Sequence, residues 1–198
     1  DWMLKIIGVL LSVSVLALFL IVIMSNLKIN IVDIAITFFG ICYIVIFLMF
    51  VSIIRENLPN GKIILWFVIL AGWGTDVFAY FSGKYLGTHK FSEISPNKTI
   101  EGCVGGTIGA TILIVAYAAI CNNVFGMDIN YLLIAGIGIL LSIVGQIGDL
   151  AASSIKRYVG IKDFSHLIPG HGGMLDRIDS LIFIAPFAYI LLNLIYII

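Results

Sequence analysis

Six long apolar runs constrain this chain more than any other feature. They are roughly Ile6 to Met24, Ile31 to Ile54, Ile63 to Phe81, Cys103 to Ile120, Tyr131 to Leu150 and Leu181 to Ile198. A helix needs about 20 apolar residues to cross a hydrocarbon core of about 30 Å. Within lipid the backbone must satisfy its own hydrogen bonds, and runs this continuous do so as helices rather than as strands of a barrel. The expected fold is therefore all-α, a polytopic integral membrane bundle of about six transmembrane helices forming one transmembrane domain over residues 1–198. Only 11% of residues are charged, against about a quarter in soluble domains, which excludes a soluble globular protein. The chain opens with Asp1 rather than Met, as expected of a fragment or a processed chain. The run Ile6 to Met24 is too long for a signal peptide and is kept as a span. Cys42, Cys103 and Cys121 show no CxxC spacing and are expected as small buried hydrophobes.

Formal net charge is zero, so the overall balance names no partner and nucleic acid is not expected; the information lies in how charge is distributed. With six spans the connecting segments alternate between two faces. Lys28, Lys84, Lys90, Lys98, Lys156, Arg157, Lys162 and Arg177 fall on one face, and Lys5, Arg55 and Lys62 on the other. Lys and Arg collect on the cytoplasmic side, so the loop 82–101 and the segment 151–179 both face the cytoplasm. Gly102, Gly106 and Ala110 recur every fourth residue, a spacing that lets backbones approach closely in lipid. Packing within one chain and packing across a homodimer both fit this face.

Ionised groups within a span cost about 2.5 to 3.5 kcal/mol on insertion scales and require a reason. Asp76 lies late in the third span among Gly72, Gly74, Thr75 and Ala79, small neighbours that leave room for a cavity or a helix. In the fifth span Gln146, Asp149, Ser153, Lys156 and Arg157 follow spacings of three and four, which predicts a polar stripe on one helix face. It reads as the wall of a water-filled cleft, with an internal network joining helices as the alternative. Asp33, at the start of the second span, is expected to serve only its helix N-terminus.

The chemistry is densest from Ser154 to Asp179, SIKRYVGIKDFSHLIPGHGGMLDRID. Lys156, Arg157, Lys162 and Arg177 bring cations to hold phosphates. Asp176 and Asp179, one helical turn apart, can join Asp149 as metal ligands if the last two helices are neighbours. Mg²⁺ is the expected cofactor, since it takes one or two carboxylates plus water and phosphate oxygens, and a second metal ion is compatible with three acids. Gly172 and Gly173 permit close backbone approach to a ligand. His171 is expected to hydrogen-bond a phosphate or support its loop, ahead of proton transfer; His89 and His166 are expected as surface residues.

Residues Ser154, Lys156, Arg157, Lys162, Asp163, Ser165, Ile168, Pro169, His171, Gly172, Gly173, Asp176, Arg177 and Asp179 resemble the signature of phosphatidate cytidylyltransferases, also called CDP-diacylglycerol synthases. SGKYLGTHKFSEISPNKTIEG (82–102) and GQIGDLAASSIKR (145–157) resemble that family as well. The resemblance implies an enzyme of the cytoplasmic membrane that condenses CTP with phosphatidic acid, releasing pyrophosphate and forming CDP-diacylglycerol for phospholipid synthesis. It also implies further N-terminal spans before Ile6, and by position it implies Asp149 and Asp176 as the main metal ligands, Ser153 close by and Asp179 in support. Asp76, Lys84, Asn97, Lys98, Ser153, Ser154, Gly172 and Gly173 are then expected to bind substrate, with Lys98 the preferred contact to the triphosphate. A cytidylyltransferase for an isoprenoid ether lipid phosphate fits the same residues. A small ion-coupled transporter relaying through Asp76 and Asp149 leaves the basic glycine-rich segment unexplained. A CDP-alcohol phosphotransferase would need the DGxxAR pattern, which the sequence lacks.

Overall fold

The computed structural model describes residues 2–25, 28–165 and 173–197, and among these every regular element is a helix. The chain divides into two compact units, Asp1–Ile46 and Phe47–Ile198. In the first unit, α1 (Trp2–Met24) touches α2 (Ile31–Ile41), which runs into a π-helical turn, Cys42–Ile46. Asn30 caps α2 reciprocally: its side chain accepts the Asp33 N–H at 2.9 Å and its own N–H donates to the Asp33 carboxylate at 3.0 Å. Two donors left over by the helix start are thereby satisfied, which is the helix-end role expected of Asp33.

The second unit holds α3 (Phe47–Asn57), α4 (Gly61–Leu86), α5 (Ile100–Phe125), α6 (Tyr131–Tyr158) and α7 (Leu175–Ile197). Helices α4, α5 and α6 run past the apolar stretches that announced them. Loss of hydrophobicity marks where lipid ends, whereas a helix ends where its hydrogen bonds find other partners. Residues 82–86 thus finish α4, residues 151–158 finish α6, and the connection between α4 and α5 shortens to 87–99. Thr99 stops it by accepting the Gly102 N–H at 3.1 Å, and Asn130 starts α6 by accepting from Leu132 and Leu133. By length and composition, Lys5–Met24, Ile31–Asn57, Gly61–Leu86, Ile100–Phe125 and Tyr131–Tyr158 can each cross a membrane. The expected sixth span falls on α7, 23 residues long with Pro186 inside it, whose last side chains lie outside the described set. The protein is a polytopic membrane protein built of helices.

Within the second unit α4 packs on α5, α5 on α6 and α6 on α7. Ile64, Phe67, Ile114, Ala118, Ile134, Leu141, Ile184 and Leu192 fill the space between them. Phe67 meets Tyr117 edge-on at 4.9 Å, and the Tyr117 hydroxyl donates to the Ile63 carbonyl at 3.0 Å. Because lipid tails are as apolar as these side chains, close van der Waals packing rather than the hydrophobic effect must hold helices together. The small-residue face of α5 supplies it against α4 of the same chain. A Cβ at Gly106 would stand 2.9 Å from both the Thr75 carbonyl oxygen and the Ala79 Cβ, and one at Gly102 would stand 2.9 Å from the Ala79 carbonyl oxygen.

Gly106→Val should destabilise the protein by about 1–3 kcal/mol through overpacking. Gly136→Ala, where a Cβ meets nothing within 4 Å, should cost no stability. Thermal unfolding of the two variants in detergent measures the contrast.

Candidate active site

The close approach of α4 and α5 leaves a cavity of about 670 Å³ between α4, α5, α6 and the segment 87–99. Asp76, Tyr80 and Lys84 reach it from one face of α4, spaced four apart as a helix requires. Gln146 and Asp149 reach it from α6, and Asn97 and Lys98 from the segment that returns to α5. Beside it, Thr75 Oγ1 lies 2.7 Å from Ser142 Oγ, which donates to Thr107 Oγ1 at 3.2 Å. Gln146 Nε2 donates to the same Thr107 oxygen at 2.9 Å and to the Cys103 carbonyl at 3.2 Å. This network ties three helices with every hydroxyl partnered, as low dielectric demands. Gln146 is therefore both cavity wall and structural link.

Above Gln146 two ion pairs form. Lys98 Nζ forms an ion pair with Asp149 Oδ2, joining the 87–99 segment to α6. One turn further along α6 comes Ser153, which is buried, and then Lys156, whose Nζ lies 2.8 Å from Asp176 Oδ1, with side chains only 10% and 8% exposed. The other Asp176 oxygen accepts the N–H groups of Phe164 and Gly173, both at 2.9 Å, and the Phe164 ring stands 5.1 Å from the Lys156 ammonium. Asp176 sits in the first turn of α7, ahead of the apolar run that begins at Leu181. Burial raises its carboxyl, but the Lys156 ammonium and the two N–H donors outweigh this and hold it below the usual carboxylate range. Asp179, one turn on, is buried, accepts the Ser180 N–H at 2.8 Å and feels the charges of Asp149, Asp76 and Lys156.

The expected site residues thus fall into two groups. Asp76, Lys84, Asn97, Lys98, Gln146 and Asp149 share the cavity, while Lys156 and Asp176 engage each other with Asp179 nearby. Arg157 departs from the expected stripe: it is exposed and donates to the Ile161 carbonyl at 3.3 Å. Consecutive helical residues do not share a face, so Arg157 cannot follow Lys156 inward. Lys162 and Arg177 are exposed too, and Ser154 donates to the Leu150 carbonyl at 2.8 Å. The close approach at Gly173 is to Ser165 and Asp176, which a Cβ would meet at 2.6 and 3.1 Å. His166, Ile168, Pro169, His171 and Gly172 lie outside the described residues. Among the described residues no three His, Cys, Asp or Glu side chains gather to hold a metal. Sequence reasoning missed Thr107 and Ser142, polar residues too common within spans to stand out, and Glu101, whose position in a helix first turn is ordinary.

Lys156→Met would leave the Asp176 carboxylate buried without a counter-charge and should destabilise the protein by about 3–5 kcal/mol, with Lys156→Met/Asp176→Asn recovering much of the loss. Since the folded carboxyl is held below its unfolded value, the pair stabilises fully above that unfolded value of about 4 and loses its effect as pH falls through the folded one. Unfolding temperatures of the variants in detergent, measured down an acidic pH series, check both points.

A sequence model of the cytidylyltransferase family matches residues 1–195. The phosphatidate cytidylyltransferase of Bacillus subtilis (strain 168) is 40% identical over 169 residues, covering 84% of this chain and 59% of that protein. The proteins of the same name from Staphylococcus aureus (strain COL) and Staphylococcus haemolyticus (strain JCSC1435) are 40% and 38% identical over 171 residues, covering 86% of this chain and 63% of theirs. The chain spans about six-tenths of the length of these curated relatives.

Proposed function

The chain belongs to the cytidylyltransferase family, and on that premise we propose that it is a phosphatidate cytidylyltransferase, condensing CTP with phosphatidic acid to give CDP-diacylglycerol and pyrophosphate. The observation that carries the reading is a cavity lined by both signs of charge, Asp76 and Asp149 with Lys84 and Lys98, between helices long and apolar enough to cross a membrane. A phosphatidate oxygen attacks the α-phosphorus of CTP. The new P–O bond forms as the bond to the bridging α–β oxygen breaks, and pyrophosphate leaves with that electron pair. A phosphomonoester is already anionic near neutral pH, so neither a protein nucleophile nor a strong base is required. Lys98 and Lys84 hold triphosphate oxygens and the Asn97 amide donates alongside them, stabilising charge on the departing group.

The donor set suits Mg²⁺, which takes one or two carboxylates and fills its other positions with water and phosphate oxygens. Asp149, on the cavity wall, would be the first of these; Asp176 would be the second by releasing Lys156, with Asp179 in support. When bound, the ion neutralises phosphate oxygens. The excess of Lys and Arg on one set of connecting segments supports a multi-pass protein of the cytoplasmic membrane whose site faces the cytoplasm. There a lipid headgroup and a water-borne nucleotide reach one cavity from different phases.

Purified full-length protein given labelled CTP, Mg²⁺ and either phosphatidic acid or an ether-lipid phosphate should form a lipid-soluble cytidine product and pyrophosphate. Asp149→Asn should lower that rate about 100-fold or more while the protein remains folded. No product with either lipid would overturn the reading, and product with the ether lipid alone would move it to that substrate.

A further inference from the structure

Lys98 reaches Asp149 from a thirteen-residue connection, 87–99, and a polar connection of that length does not hold one side chain in a cavity unaided. This one is folded back on itself. Lys90 pairs antiparallel with Thr99, the Phe91 N–H donates to the Lys98 carbonyl at 2.8 Å and the Ile100 N–H to the His89 carbonyl at 3.0 Å. Pairing of this kind has a register, and a slip of one residue turns every side chain to the opposite face. Lys98 therefore points into the cavity only while it lies opposite Phe91.

A single carboxylate grips the incoming limb of that pairing. Glu101, in the first turn of α5, accepts the Thr88 and His89 backbone N–H groups on Oε2 at 3.2 and 3.3 Å. On Oε1 it accepts the Thr88 hydroxyl at 2.7 Å and meets His89 Nδ1 at 2.6 Å. Two consecutive amides are gripped by a group rooted on a rigid helix, so the incoming limb cannot slide past the outgoing one. Glu101 is outside the cavity lining, and its side chain is 27% exposed. An isolated surface ion pair with His89 would contribute little; four contacts converging on one carboxylate form a clasp.

We propose that Glu101 is a positioning residue, which through Thr88 and His89 holds the 87–99 segment in register so that Lys98 is presented to the phosphates of the nucleotide. The part that concerns the nucleotide rests on the function proposed above; the clasp itself does not.

Two measurements on the full-length protein separate these. Trypsin cleavage after Lys90 needs no activity: Glu101→Ala should speed it about tenfold or more relative to the parent, with Glu101→Gln between the two and unfolding temperature unchanged. An unchanged cleavage rate in Glu101→Ala would overturn the clasp whether or not the parent turns over. In the cytidylyl-transfer assay, Glu101→Ala should lower kcat/KM for CTP about 10- to 100-fold and leave KM for phosphatidic acid as in the parent. Lys98→Ala/Glu101→Ala should be no worse than Lys98→Ala alone, since both remove one interaction. Losses that multiply, or KM values that rise equally for both substrates, would overturn action through Lys98.

Discussion

A carboxylate carried on a helix that crosses lipid must be paired or wetted, and the second unit is arranged around meeting that demand. Asp149 takes Lys98 and Asp176 takes Lys156 together with two backbone N–H groups. Neither cation lies on the helix of the acid it serves. The pairs therefore tie the 87–99 segment to α6, and α6 to the start of α7. A buried pair gains little over a well-packed apolar substitute, yet losing one partner is costly. Such pairs specify where elements sit more than they add stability, and here they fix the connections next to the cavity.

That pairing depends in turn on how near the helices come. Gly102 and Gly106 admit the α4 backbone, and Thr75 consequently reaches Ser142 on α6. The hydroxyl and amide network next to the cavity gives α4, α5 and α6 a fixed spacing. Toward the 87–99 segment, where charged side chains replace the hydroxyls, the helices enclose a space lined by both signs of charge. An arrangement of fixed dipoles and charges around a partly enclosed space is the electrostatic preorganisation that phosphoryl chemistry exploits. The Lys98–Asp149 contact also keeps a lysine at the cavity wall.

Much of this was legible in the residues. Asp76 and Asp149 were conspicuous because a carboxylate in a span needs a reason, and both line the cavity. Asp33 was dismissed because a helix start suits an acid, and it is a cap. Of the stripe on α6, Gln146 and Asp149 line the cavity while Ser153 and Lys156 are buried outside its lining, and periodicity alone cannot say that the next cation turns outward to the Ile161 carbonyl. Lys156 reads as a phosphate ligand in the sequence, and the fold sets it against Asp176. Glu101 carried no signal, since its importance lies in Thr88 and His89, brought to it by a reversal of the chain.

By itself, then, the sequence determined the class of fold, the approximate spans and the acids within them that line the cavity, Asp76 and Asp149, because helix length, lipid thickness and the cost of charge in lipid act locally along the chain. Only the tertiary structure decided the pairing: Lys98 with Asp149, Lys156 with Asp176, and Glu101 with the amides of Thr88 and His89. Periodicity relates residues that share a helix. Which cation meets which acid is set by close approach between helices and by the register of a connection, and these emerge only when distant segments are packed together.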